Sequence, residues 1–123
     1  PAVSLLYGLQ ESLRLITDEG LPNVFARHER LRDLVRDGAR KLGLQPFAAD
    51  DVASRTVTAI LPPGNVSGKE VVSAMRERDI VIAGGQGAYE DKIIRIGHMG
   101  FAHEDDMREV LAALSDVLGK ASV

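Results

Sequence analysis

At 123 residues the chain is long enough for one domain with its own core and too short for two. Hydrophobic residues at 45% and charged residues at 27% match an ordinary globular protein and exclude disordered, collagen-like and membrane-embedded classes. Fifteen Lys and Arg against eighteen Asp and Glu leave a charge of -3, which excludes a global basic field for nucleic acid or anionic lipid, and the absence of Cys excludes disulfides, a thiolate nucleophile and a Cys-based zinc site.

No apolar run approaches the roughly 20 residues of a membrane-spanning helix, and no charged segment followed by an apolar one opens the chain. The expectation is a cytoplasmic protein with residues 1–123 forming a single domain. Because it opens at Pro1 without Met and enters a helical pattern at once, it reads as a piece of a longer protein.

From Ser4 to Glu19, Leu5, Leu6, Leu9, Leu13 and Ile16 recur at helical spacing on one face, with Ser4 as N-cap. Gly8 inside this helix either carries a mild penalty or lets another backbone approach. Gly20 ends the helix, and Pro22 and Asn23 open a second one to Leu42 whose apolar face carries Val24, His28, Leu31, Val35 and Leu42. On its flank Arg32, Arg36 and Arg40 align, but Glu29, Asp33 and Asp37 lie within three or four residues of them. This predicts a solvated, ion-paired face rather than an anion-binding stripe. His28 is expected to be a buried imidazole satisfied by a hydrogen bond rather than a ligand.

Gln45 to Arg55 reads as a connection or edge strand around Pro46. Thr56 to Leu61 alternates as a strand, with Val57, Ala59 and Leu61 on one side. Ser67-Gly68-Lys69-Glu70 matches a capping box and starts a third helix to about Arg78. Ile80 to Ala83 and Lys92 to His98 are expected to pair as a hairpin. The intervening Gly84-Gly85-Gln86-Gly87 reads better as a hairpin loop than as a phosphate cradle, since no helix N-terminus follows it. His98 and His103 are five apart, which is not a helical metal-pair spacing, and no metal site is expected. A final amphipathic helix begins at Glu104, Asp105 and Asp106, carries Met107, Val110, Leu111, Leu114, Val117 and Leu118, and places Lys120 at its far end. The order implies an α+β fold: a small mixed or antiparallel sheet of about three strands with helices packed on one face.

Arg95 carries the most chemical information. Alternation puts Ile94, Ile96 and His98 on one face and Ile93, Arg95 and Gly97 on the other, so Arg95 projects from the sheet if the isoleucines pack under the helices. A guanidinium on a rigid strand is suited to hold a carboxylate through two parallel hydrogen bonds. The alternative is a surface Arg paired with a neighbouring acid, and local pattern leaves both open.

Pro1-Ala2-Val3-Ser4-Leu5-Leu6-Tyr7-Gly8-Leu9, Gly20 to His28, Thr56-Val57-Thr58-Ala59, Gly84-Gly85-Gln86-Gly87 and Arg95-Ile96-Gly97-His98-Met99-Gly100 together resemble the C-terminal domain of class V aminotransferases, in order and over nearly the whole chain. The nearest pattern is that of alanine–glyoxylate and serine–pyruvate aminotransferases, including members labelled as a soluble hydrogenase subunit. The resemblance implies the small domain of a pyridoxal 5'-phosphate enzyme of the type I aminotransferase fold. Its full-length parent would transfer an amino group from alanine or serine to an oxo acid such as glyoxylate or pyruvate by a ping-pong route. It also implies partners: amino acid and oxo acid substrates, a large cofactor-binding domain and a second subunit in a homodimer.

Arg95 matches the family's substrate α-carboxylate arginine, while none of Lys41, Lys69, Lys92 and Lys120 matches the Schiff-base lysine motif. The isolated chain is therefore expected to bind no cofactor and to be inactive, with no catalytic residue of its own. Arg55 and Asp79 depart from the family pattern, at positions where a smaller residue or Pro, and Gly, are frequent. The competing expectation is an autonomous module that binds a small carboxylate or mediates assembly without a cofactor.

Overall fold

β-Branched and apolar residues at alternate positions build the centre of the sheet, and the computed structural model, which describes residues 1–119, shows how it is framed. The elements are α1 (Val3–Glu19), α2 (Leu21–Lys41), β1 (Gln45–Pro46), β2 (Val57–Leu61), α3 (Gly68–Arg76), β3 (Ala83–Gly84), β4 (Ile94–Gly97) and α4 (Glu104–Val117). The sheet has four strands, not about three, in the order β1-β2-β4-β3, and every pairing is antiparallel. The additional strand is β1, the edge allowed for around Pro46. Two residues are too few to show an alternation, and Pro46 is tolerated where a strand borders solvent.

The expected hairpin forms, but its first strand lies at Ala83–Gly84 rather than Ile80 to Ala83, so the glycine run begins inside the sheet. Asp79 takes a positive φ of 60° at the turn before it.

Thr58 pairs with Ile96 and Ile60 with Ile94, so these four side chains point to one face. There they meet Leu31 and Val35 of α2, Val71 and Met75 of α3, and Met107 and Leu114 of α4, all buried. Each such side chain contributes roughly 1.5–3 kcal/mol through burial, which makes this face the stabilising centre. The capping box at α3 is present: Ser67 Oγ accepts from the Glu70 amide at 3.4 Å and the Ser67 amide donates to Glu70 at 3.3 Å. That helix ends at Arg76, slightly before the expected Arg78. The expected terminal role of Lys120 lies outside the described residues.

At α1 one local expectation changes and two open points are settled. α1 starts at Val3 without a side-chain cap, because the amides of Leu5 and Leu6 both turn back to the Ala2 carbonyl, and Ser4 is already inside. Gly8 meets nothing within 4 Å of a built Cβ, so it carries the penalty without a close approach. The apolar face of α1 is largely uncovered: Leu5 is 72%, Leu6 60%, Leu9 55% and Leu13 54% exposed.

The arginine face of α2 is ion-paired as expected for Arg40 with Asp37, three residues away, whereas Arg32 pairs with the adjacent Asp33 and Glu29 is taken by Arg55. Arg36, however, is buried and pairs with Asp50 at 2.6 Å, a residue brought in by the loop after β1 and shared with Arg40. Arg40, the larger influence, and Arg36 hold the Asp50 carboxyl below its ordinary range. No helix among the described residues is long and apolar enough to cross a membrane.

Candidate active-site face

The face of the sheet opposite the helices is where sequence and topology converge. β4 alternates buried Ile94 and Ile96 with half-buried Arg95, so Arg95 stands on the face that no helix covers. It pairs across the sheet with Ala59 of β2 and Ala83 of β3. Methyl groups on both flanks leave a long side chain free to rise above its neighbours, and they do not compete for its charge.

The guanidinium is held at one corner. Arg95 Nε donates to the Gly84 carbonyl at 2.7 Å, while Nη1 and Nη2 have no partner among the described residues and no carboxylate pairs with them. Of the two sequence readings, the surface ion pair is therefore not what forms. A half-buried guanidinium with its outer nitrogens free and its inner one anchored is pre-organised to take a carboxylate end-on, through Nη1 and Nη2.

His98 supports this strand from the other side. It is fully buried. Its Nδ1–H donates to the Arg55 carbonyl at 3.0 Å, since a carbonyl can only accept, and Nε2 accepts from the Thr58 hydroxyl at 2.9 Å. Burial, the leading cause, pushes the His98 pKa below its ordinary 6.5, so the ring stays neutral in this tautomer. It is a structural pin joining β4 to β2. His28 is likewise satisfied: Nδ1–H donates to the Val24 carbonyl at 2.7 Å and Nε2 accepts from the Gly100 amide at 3.2 Å. Arg27 grips the same turn, donating to the carbonyls of Gly100 and Ala102 while Glu19 holds it from behind. The segment leaving β4 is thus fixed to α2.

The glycine run lies beside Arg95 and not at a helix N-terminus. Gly84 supplies the carbonyl that holds the guanidinium, and the next residues form a short 3-10 turn over Gly87–Tyr89. The loop is tied down by Asp91, whose Oδ1 accepts from Ser67 Oγ at 2.5 Å and from the Lys69 amide at 3.0 Å. Those two bonds, Ser67 first, hold the Asp91 carboxyl below its ordinary range. Sequence reasoning missed three members of this neighbourhood: Phe47, Tyr89 and Asp91. Phe47 and Tyr89 meet edge to face at 5.2 Å between ring centres. An aromatic residue just past an edge-strand proline and another just past a glycine run were the available signals, but their meeting depends on strand order.

No family model matches the chain. Among curated proteins it is 40% identical over 119 residues to the soluble hydrogenase 42 kDa subunit of Anabaena cylindrica, covering 96% of this chain and 31% of that protein. It is 39% identical over 118 residues to an uncharacterized aminotransferase of Methanocaldococcus jannaschii, covering 95% and 30%. Among solved structures, the alanine–glyoxylate aminotransferase of Nostoc sp. superposes with a TM-score of 0.90 at 32% identity over 95% of this chain and 32% of that one. The chain thus spans about 30% of the length of the relatives it matches. With this backbone, and with sequence identity running through nearly all of it, the chain is homologous, as a fragment of about 30% of their length, to class V aminotransferases.

Proposed function

We propose that this chain is the C-terminal small domain of an aminotransferase and that Arg95 binds the α-carboxylate of the amino acid and oxo acid substrates. The observation that carries the reading is the half-buried guanidinium on the helix-free face, anchored by Gly84 and unpaired with any acid among the described residues. The full-length parent would move an amino group from alanine or serine to an acceptor such as glyoxylate or pyruvate. The solved alanine–glyoxylate relative supports that choice.

The lysines among the described residues do not fit pyridoxal 5'-phosphate. Lys41 and Lys92 are exposed, and Lys69 is exposed and paired with Glu90 at 3.3 Å, so none is a recessed amine. Cofactor binding therefore falls to the rest of the parent, no chemical step runs through this domain, and the isolated chain is inactive. What Arg95 does is neutralise and orient the carboxylate, fixing the α-carbon in place.

The uncovered face of α1 fits the same reading. Four leucines more than half exposed on one helix form a surface that a further part of the parent, or a second subunit of a homodimer, would cover.

Arg95→Lys in the full-length polypeptide keeps the charge but loses the planar fork. The expected result is a rise in the amino-acid KM of about tenfold to a hundredfold, the worth of one hydrogen bond to a charged group. Unchanged steady-state kinetics would remove the assignment.

A further inference from the structure

We propose that Tyr89, seated on Phe47, is the specificity-determining wall of the Arg95 site and limits the bound acid to those with short substituents beside the carboxylate. The inference rests on the carboxylate reading of Arg95 and extends it to residues outside the strand.

The register places the parts. The Phe47 amide donates to the Ala59 carbonyl at 2.9 Å, which continues the pairing of β1 with β2 by one residue. Pro46 pairs with Ile60 on the helix-covered face, so Phe47 falls on the other face, in one row with Ala59, Arg95 and Ala83. From the opposite edge the loop comes in tightly. A Cβ on Gly85 would lie 1.8 Å from the Tyr89 carbonyl oxygen and 2.9 Å from Ile93 Cγ1, so only glycine lets these backbones touch. Gly84, the neighbour of that glycine, is the residue that holds Arg95.

Ile93 confirms where the loop lies. It precedes Ile94 and so points to the helix-free face, yet it is only 8% exposed, because the loop covers it. The Tyr89 ring, starting from this loop beside β3, reaches Phe47 beside β1, and the two meet at 73°. The aromatic pair therefore closes one end of the open face next to the row that carries Arg95.

Three features suit this pair to selecting a ligand. Both rings are 46% exposed, so they present a surface to the space above the sheet rather than filling the core. The loop is pinned through Asp91 to the start of α3, so the wall does not swing away at little cost. In the register Ala59 stands between Phe47 and Arg95 and presents only a methyl group, so a short substituent meets little there and a longer one extends toward the rings. The Tyr89 hydroxyl makes no hydrogen bond to the described residues and is available to a hydroxyl-bearing ligand.

The test uses the full-length polypeptide in cofactor-free form, with acetate, propionate, butyrate and pentanoate as probes and affinity read by calorimetry. The same variants are then assayed for kcat/KM with alanine against 2-aminobutyrate and norvaline. Wild type should favour the short acids. Tyr89→Ala should shift the short-to-long ratio toward the long acids by about tenfold, the scale of methylene discrimination in a pocket. Tyr89→Phe should keep the wild-type ratio, and Tyr89→Trp, which thickens the wall, should move it the other way. If Tyr89→Ala fails to fold, Tyr89→Leu removes most of the ring and is read in the same way. A ratio unmoved in both the smaller and the larger variant, while Arg95→Gln weakens every carboxylate, overturns the wall and leaves the carboxylate site standing. Arg95→Gln binding all four probes as wild type does overturns the site itself.

Discussion

The two faces of the sheet are made by alternate residues of the same short strands, and they solve opposite problems. On one, Thr58, Ile60, Ile94 and Ile96 lie under three helices, and the polar members are matched in pairs: Thr58 with His98, and His98 with the Arg55 carbonyl. On the other, Ala59, Ala83 and Arg95 lie under no helix, and the guanidinium keeps two nitrogens unmatched. A residue buried with its bonds satisfied stabilises the fold, and a residue held with bonds unsatisfied is available to a ligand. The strand serves both because its side-chain period is two.

Substitutions on the two faces should therefore separate stability from binding. The largest loss is expected for Leu31→Ala beneath the sheet, about 3 kcal/mol by urea denaturation, because it leaves a cavity among buried side chains. Gly85→Ala, at the edge of the open face, should cost about 2 kcal/mol and displace Tyr89, visible as a change in its fluorescence, since the added methyl meets backbone. A loss under about 0.5 kcal/mol would show that the loop is not pressed onto the sheet.

The His98 pin gives the comparison a pH dependence. Its folded pKa lies below the 6.5 of the free side chain, so between those values the unfolded chain binds a proton that the folded chain does not. Stability contributed by the neutral ring is thus full above 6.5 and falls as the pH drops toward the folded pKa. The difference between wild type and His98→Gln, followed by thermal melts from pH 8 to pH 5, should shrink over that window. A constant difference would place the proton elsewhere.

Smaller effects mark the open side. Arg95→Gln should change stability by less than about 1 kcal/mol, because a single bond to Gly84 is lost at a half-buried site, even as carboxylate binding falls. Leu9→Ser on the uncovered face of α1 should stay within about 0.5 kcal/mol in this chain alone. In the full-length polypeptide the same change should cost more if that face is covered there, so comparing the two melts reads the covering directly.

Several of these features are legible in the amino-acid sequence alone. The face of Arg95 follows from alternation in Ile93-Ile94-Arg95-Ile96-Gly97-His98, and the start of α3 follows from Ser67 and Glu70 at capping distance, because both depend on neighbours within one element. The fate of Arg36 did not follow. Its nearest acids in sequence are Asp33 and Asp37, but a buried guanidinium takes the partner that tertiary packing delivers, and that is Asp50. α1 shows the limit in the other direction, since its apolar stripe states that a face needs cover and says nothing of what supplies it.

Amino-acid order by itself determined the helices, the two central strands, the placement of Arg95 opposite the isoleucines and the family resemblance, all of which rest on local periods and contiguous motifs. Only the tertiary structure decided that β1 adds a fourth strand, that Gly84 anchors Arg95 and that Tyr89 closes on Phe47. Those contacts join residues whose separation along the chain carries no pattern, and they form because burial of the other face brings the strands into one register.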